Sequence, residues 1–379
     1  MPSAWSSLVL VACLFGVDAN AQLPVLTVGG FNPSFTDLPQ AVAAAVPGSI
    51  IEVRPGSYTG FTTNKPLHIV LDFTAATGSV HAAPGSAYAM TVSGLTSGRF
   101  TVAGRGASVQ PGTLGAIRIV NTSVYVMLEG LTVAAAGMRT AIDVQNATTV
   151  FVQRCALTGT PSLQLQDATL VSSEVSWASP GGSAVVANHG HLDFAHGSFR
   201  GFQLPAISVT DCDVRLAGNG STPIEVSGSP TGPVSAFEAI ISRVQWQQNH
   251  FALIPAGGAP GFVNMGGTVF PAAVPGLVAS GASLGGTASV RMTGSGLPGL
   301  IGFNALAPQF SLFELTAIYL DPVSPVIAAI GIVDPTGLSL SAVVPNAATL
   351  RGQTFCLQGI VWQSNGWPVW SAAGLWTVL

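Results

Sequence analysis

One short pattern, recurring five times between Ile117 and Leu216, constrains this chain more than any other feature. It reads Ile117-Arg118-Ile119-Val120-Asn121, Ile142-Asp143-Val144-Gln145-Asn146, Leu163-Gln164-Leu165-Gln166-Asp167, Val186-Ala187-Asn188 and Ile207-Ser208-Val209-Thr210-Asp211. Apolar residues stand before an Asn or Asp anchor, and successive anchors are 25, 21, 21 and 23 residues apart. A second apolar pair follows each anchor: Val124/Val126, Val150/Val152, Leu170 with Ser172, Leu192/Phe194 and Val214/Leu216. Alternation marks a strand, because successive side chains point to opposite faces. Strands this short cannot bury a face alone, so the units must stack into a continuous apolar column. The short anchoring side chain suits a tight turn, where it bonds neighbouring backbone and tolerates a left-handed conformation. No helix-forming half accompanies the units, which sets aside a leucine-rich horseshoe. The pattern predicts a parallel β-helix.

Composition agrees. Of 379 residues, 48% are hydrophobic and only 7% charged, with 45 Gly and 26 Pro, against about 25% charge in an average protein. Such a surface is dressed by Ser, Thr, Asn, Gln and backbone, as in a turn-rich all-β chain. A net charge of -4, with Lys65 as the single lysine, excludes nucleic acid as a natural partner. After residue 22 no apolar run reaches the roughly 20 residues of a membrane span. Before it, Leu8 to Val17 has the length of a signal-peptide core, and Ala19-Asn20-Ala21 forms an A-x-A cleavage signal. Residues 1–21 are therefore expected to be a signal peptide and the protein to be secreted or held at the cell surface. Cys155, Cys212 and Cys356 remain after its removal; Cys155 and Cys212 fall too many coils apart to bridge, so free, buried thiols are expected.

Thr36 or Asp37 can cap a short helix through Ala41 and Val42 that Pro47-Gly48 ends, and such a helix would cover the open end of the stack. The run Phe35-Thr36-Asp37-Leu38, Ala41-Val42, and Pro47-Gly48-Ser49-Ile50-Ile51-Glu52-Val53-Arg54-Pro55-Gly56-Ser57-Tyr58 resembles the opening of right-handed parallel β-helix proteins of the pectin-lyase-like superfamily. The resemblance covers residues 35–250 and implies the fold. Activity does not follow, since that superfamily holds lyases, hydrolases, esterases, adhesins and non-catalytic surface proteins. The expected organisation is a signal peptide (1–21), a right-handed parallel β-helix (22–254), a Gly/Pro/Ala-rich linker (255–287) and a small antiparallel β-sandwich (288–379). In the last part, Gln353-Thr354-Phe355-Cys356-Leu357-Gln358 with Ser371-Ala372-Ala373-Gly374-Leu375 is similar to a small C-terminal domain of large secreted bacterial proteins, which brings no activity with it.

Three constellations carry candidate chemistry. Glu129, Arg154 and His196 lie eight places after their anchors and Glu174 seven, so they are expected to stack as one catalytic column on an outer face. Glu129 and Glu174, two coils apart, would stand about 9–10 Å from each other, near the upper limit for an inverting glycosidase. The competing reading is a surface charge ladder holding coils in register. Second, His189, His191 and Asp193 alternate toward one strand face, where two imidazoles and a carboxylate could ligate a divalent metal or bind another ligand, although the stretch passes through a turn that would rotate His189 off that face. Third, Trp367 and Trp370 lie in an expected exposed loop, where they either offer flat indoles to sugar rings or a partner surface or fold back as a plug over the end of the sandwich, while Trp362 and Trp376 are expected in the core. The Gly-His-Gly motif of the superfamily's hydrolases and the Asp cluster of its calcium-dependent lyases are missing, so the resemblance implies no metal or other cofactor. The sequence reading is a non-catalytic protein presenting a polar face to glycans. The alternative is a lyase or glycoside hydrolase acting through the charged column.

Overall fold

The computed structural model describes residues 24–379 apart from positions 75, 136, 218–223, 228–233, 247–250, 256–257, 272–273, 281–282, 295, 312–316, 321–325, 335, 348–349, 351–352, 364–365, 367, 372 and 379. The expected signal peptide lies outside the described residues. The chain is all-β: a parallel β-solenoid of about nine turns with one short helix, followed by small antiparallel sheets. Helix α1, Leu38–Ala44, is capped by Asp37, whose Oδ1 accepts from the backbone N–H groups of Leu38 (2.8 Å) and Thr59 (2.8 Å). At its other end Lys65 donates from Nζ to the carbonyls of Val42, Ala43 and Ala45, which suits the negative pole of a helix. Leu38, Ala41 and Val42 are buried against the first strands, so α1 does cover the start of the stack.

Each regular coil contributes three strand segments, which stack in parallel into three faces. On the first face the register runs Ile117, Ile142, Leu163, Val185, Ile207, Phe237 and Phe262. The first five, with Phe237, are buried in the interior. The second face runs Met127, Phe151, Val171, Asp193, Arg215, Gln245 and Phe270 on its outer side. Its inner side carries Val126, Leu128, Val150, Val152, Leu170, Leu192, Phe194, Val214 and Leu216. The third face puts a row of small residues outward, Ser57, Ser79, Ser108, Thr132, Ala156, Ser176 and Ser198.

Left-handed residues turn the corner between the first and second faces. They are Asn121, Asn146, Asp167, His189, Asp211 and Ile241, all with φ between 49 and 52°. Asn146 donates from Nδ2 to Asn121 Oδ1 across one coil (3.2 Å). The anchor expected at Asn188 is therefore His189. Leu163 pairs with Val185 and Asp167 stands level with His189, because the copy begins at Val185 and spaces its apolar residues as Val185/Ala187. Asn188 has the right chemistry one position early.

The Gly/Pro/Ala-rich stretch expected as a linker is built into sheets. Phe262–Met265 and Thr268–Pro271 extend the solenoid, pairing in parallel with Phe237–Ile240 and Arg243–Trp246. Gly276–Ser280 pairs antiparallel with Thr287–Thr293, which pairs with Leu338–Val343. The other sheet is organised on Leu297–Ser311 and Thr354–Trp362, with Ala317–Leu320, Val326–Val333, Pro368–Trp370 and Gly374–Thr377 beside them. Trp376 is buried in this core beside Phe303 and Phe355, whereas Trp362 is 40% exposed rather than internal. Cys155, Cys212 and Cys356 are all free and buried, and burial raises each thiol's pKa, for Cys155 and Cys212 to about 11.

A covered solenoid face as the candidate functional site

The C-terminal sheets do not hang from the solenoid as a separate lobe. They pack on the outer side of the second face, where Met127, Phe151, Val171, Ala195 and Ala217 share one apolar cluster with Leu277, Ala279, Met292, Phe355, Leu357 and Leu375. Strands such as Val150-Phe151-Val152 are thus buried on both sides. Arg99 reaches across from the solenoid and donates to the Thr354 carbonyl (3.0 Å). Gln153, with its amide oriented to satisfy both atoms, accepts from Leu375 N–H (2.8 Å) and donates to Leu375 carbonyl (3.1 Å).

The expected catalytic column lies along this seam but is not one column. Arg154, Glu174 and His196 form a second left-handed corner with φ of 50 to 54°, level with Gly130. Glu129 is one row earlier, opposite Gln153. A register shift between Thr122 and Tyr125 adds a residue to the earlier coil, so equal counts from the anchors reach different rows. Arg154 still spans the offset. One guanidinium nitrogen donates to Glu129 Oε1 and another to the Ala279 carbonyl of the docked sheet. Glu129 is only 6% exposed, and its Oε2 has no partner among the described residues. Glu174 is exposed. His196 Nε2 faces Thr293 Oγ1 at 3.2 Å and packs against Gly276. Burial, with Arg291 adding to it, lowers its pKa to about 4, so it is neutral at pH 7.

A second charged cluster sits farther along the same face. Arg215 and Asp193 are both completely buried, with Nη1 donating to Asp193 Oδ2 at 3.0 Å. Arg215 Nε donates to Gln245 Oε1 (3.1 Å), and Nη2 donates to the Trp370 carbonyl. Beside them Arg243 grips Asp213 with two bonds, 2.6 and 2.5 Å. His191 stands level with Asp213; burial lowers its pKa, with Asp193 and Asp213 acting upward and Arg215 and Arg243 downward. Of the expected ligand residues, Asp193 is therefore linked to a second, Trp370, only through Arg215, which bonds the Trp370 carbonyl at the end of the strand Pro368–Trp370. Trp367 lies outside the described residues. His189 leaves the group, because its left-handed turn points it to the exposed corner between Asp167 (3.8 Å) and Asp211 (3.5 Å). Arg215, Arg243 and Gln245 were absent from the sequence candidates: Arg243 and Gln245 lie beyond the regular repeats, and Arg215, between the apolar pair Val214/Leu216 of the last one, is a single register step from Asp193.

Among the described residues the first face stays open. Outward from it point Thr91, Arg118, Asp143, Gln145, Gln164, Gln166, Asn188 and Thr210. Tyr88 donates to Asp143 Oδ2 (2.8 Å) under the Arg118 guanidinium, which lies 5.5 Å from the ring centroid. Burial and the bond to Asp143 push the Tyr88 pKa to about 12, so the phenol remains a donor. Gln145 Nε2 donates to Asp143 Oδ1 (3.0 Å).

Chemically, the covered face offers fixed ion pairs tied to backbone carbonyls, and the open face offers a field of amides and hydroxyls. No three His, Cys, Asp or Glu side chains among the described residues converge as a metal set. No family model and no curated protein matches this chain. Among solved structures it is distantly similar to the tailspike protein gp49 from Acinetobacter baumannii bacteriophage Fri1, a capsular polysaccharide depolymerase, over 93% of this chain and 86% of that one, at 11% identity and a TM-score of 0.27; so loose a likeness carries no argument about what this chain does.

Proposed function

We propose that this is a non-catalytic glycan-binding solenoid, secreted or surface-associated, in which the charged column clamps the C-terminal sheets and the first face meets the glycan. One observation carries the reading. The carboxylates of Glu129 and Asp193 are each held by a guanidinium that also bonds a backbone carbonyl of the C-terminal sheets, at Ala279 and Trp370. An acid or base for glycoside cleavage must reach the scissile oxygen or a water beside it, and these groups are buried in a seam. The open face supports the binding half of the reading. Amides and hydroxyls recurring at about 4.8 Å per coil can donate to and accept from successive sugar hydroxyls. Leu8 to Val17 and Ala19-Asn20-Ala21 support export.

The test is a glycan array run with a parallel turnover assay. Wild type and a Glu129→Gln/Glu174→Gln pair are expected to bind alike and to cleave nothing. A Gln145→Ala/Gln164→Ala/Gln166→Ala variant is expected to bind weakly. Glycan cleavage by wild type that disappears in the Glu pair would sink the proposal.

A further inference from the structure

Toward the first coils a cavity of about 170 Å³ opens at the edge of the covered face, between Glu52, Arg54, Val70, Asp72 and Arg105 of the solenoid and Ser283 of the C-terminal part. Register explains its shape. Glu52 stands level with Val70, and Asp72 with Arg105 one coil on, so Val70 forms a half-buried apolar floor among four charges. Asp72 and Arg105 are neighbours across a single step of the ladder, about 4.8 Å along the axis. Even so, no ion pair joins them. Asp72 Oδ1 is turned to the Thr74 hydroxyl (2.8 Å), and the Glu52 carboxylate is 3.8 Å from Arg54. Among the described residues Arg105 has neither an ion-pair nor a hydrogen-bond partner. Asp72 and Arg105, which could neutralise each other, instead face one small space separately.

We propose that this cavity binds a small zwitterion of the α-amino-acid class, with its carboxylate on Arg105, its ammonium on Asp72 and its apolar part over Val70. The guanidinium fork matches a carboxylate in two parallel bonds, and the carboxylate of Asp72 accepts from an ammonium. A ligand with one charge satisfies one wall and leaves the other facing it. The volume is below the several hundred Å³ that take drug-sized ligands, and suits a molecule of amino-acid size. This site is independent of the glycan reading and shares no residue with it.

The experiment uses the full chain. Ligand-observed NMR with a mixture of the twenty common α-amino acids at millimolar concentration is followed by calorimetric titration of any that bind, with glucuronic acid and glucosamine as single-charge probes. At least one amino acid is expected to saturate the protein, and both single-charge probes to bind about tenfold more weakly or worse. Arg105→Gln and Asp72→Asn are each expected to weaken binding about tenfold or more, the loss of one charge-assisted bond, with unchanged melting. Arg105→Lys, which keeps the charge and loses the fork, is expected to fall between. No saturation by any amino acid overturns the proposal. So does wild-type affinity in both Arg105→Gln and Asp72→Asn, or glucuronic acid binding as well as the best amino acid.

Discussion

Arg215 and Asp193 meet at 3.0 Å with neither side chain touching solvent, on adjacent coils of one solenoid face and under the strand that ends at Trp370. Removing one partner strands the other charge in the interior. Arg215→Met is expected to destabilise the protein by about 3–5 kcal/mol, and a paired Arg215→Met/Asp193→Leu variant by clearly less. Chemical denaturation of the two singles and the double gives the comparison. Equal losses in single and double would show that the pair is not coupled.

The two glutamates once grouped in a single column are expected to behave differently. Glu129→Gln removes the charge that Arg154 holds at the seam, and a loss of about 1–3 kcal/mol is expected. Glu174→Gln, at an exposed corner, is expected to stay within about 0.5 kcal/mol of wild type. Thermal melts of the separate variants measure this directly.

Ile241 occupies the last left-handed position of the corner ladder with φ of 50° and is 64% exposed. A β-branched residue there is strained and gains little from burial. Ile241→Asn, which restores the residue type found at Asn121 and Asn146, is expected to stabilise by about 1 kcal/mol. A denaturation midpoint unchanged or lowered would show that the corner carries no strain.

His196 makes the seam sensitive to acid. Its folded pKa of about 4 is below the ordinary value of 6.5, so below pH 6.5 the unfolded chain takes up a proton that the folded chain refuses. Its neutral burial costs nothing above pH 6.5, and stability is expected to fall between pH 6.5 and about 4, by up to about 3 kcal/mol. His196→Gln is expected to flatten that part of the profile. A variant curve parallel to wild type across this range would assign the acid sensitivity elsewhere.

The stacking itself was legible, because alternation repeated at a nearly fixed step has few other solutions. Two things were not. The bulge near Val124 adds a residue without changing the apolar pattern, so counting from Asn121 placed Glu129 in the wrong row. At the fourth copy, Asn188 looked like an anchor while the spacing of Val185 and Ala187 pointed to His189. The covered face did have a signal. Val126-Met127-Leu128, Val150-Phe151-Val152 and Leu170-Val171 are unbroken apolar runs, the mark of a strand with no wet side. Read with the charged residues beside them, they mark a place where something docks. What docks there is formed from segments more than a hundred residues downstream, such as Gly276–Ser280 and Gly374–Thr377, which local pattern does not connect to it.

A solenoid unfolds most readily like a stack of coins, each layer held only by the layers above and below. Here the C-terminal sheets lie lengthwise across that stack, gripping it at Arg99, Gln153, Arg154 and Arg215. They act as a splint: layers that never touch must release together, so the middle of the rod is expected to melt as one block while any fraying is confined to its two ends.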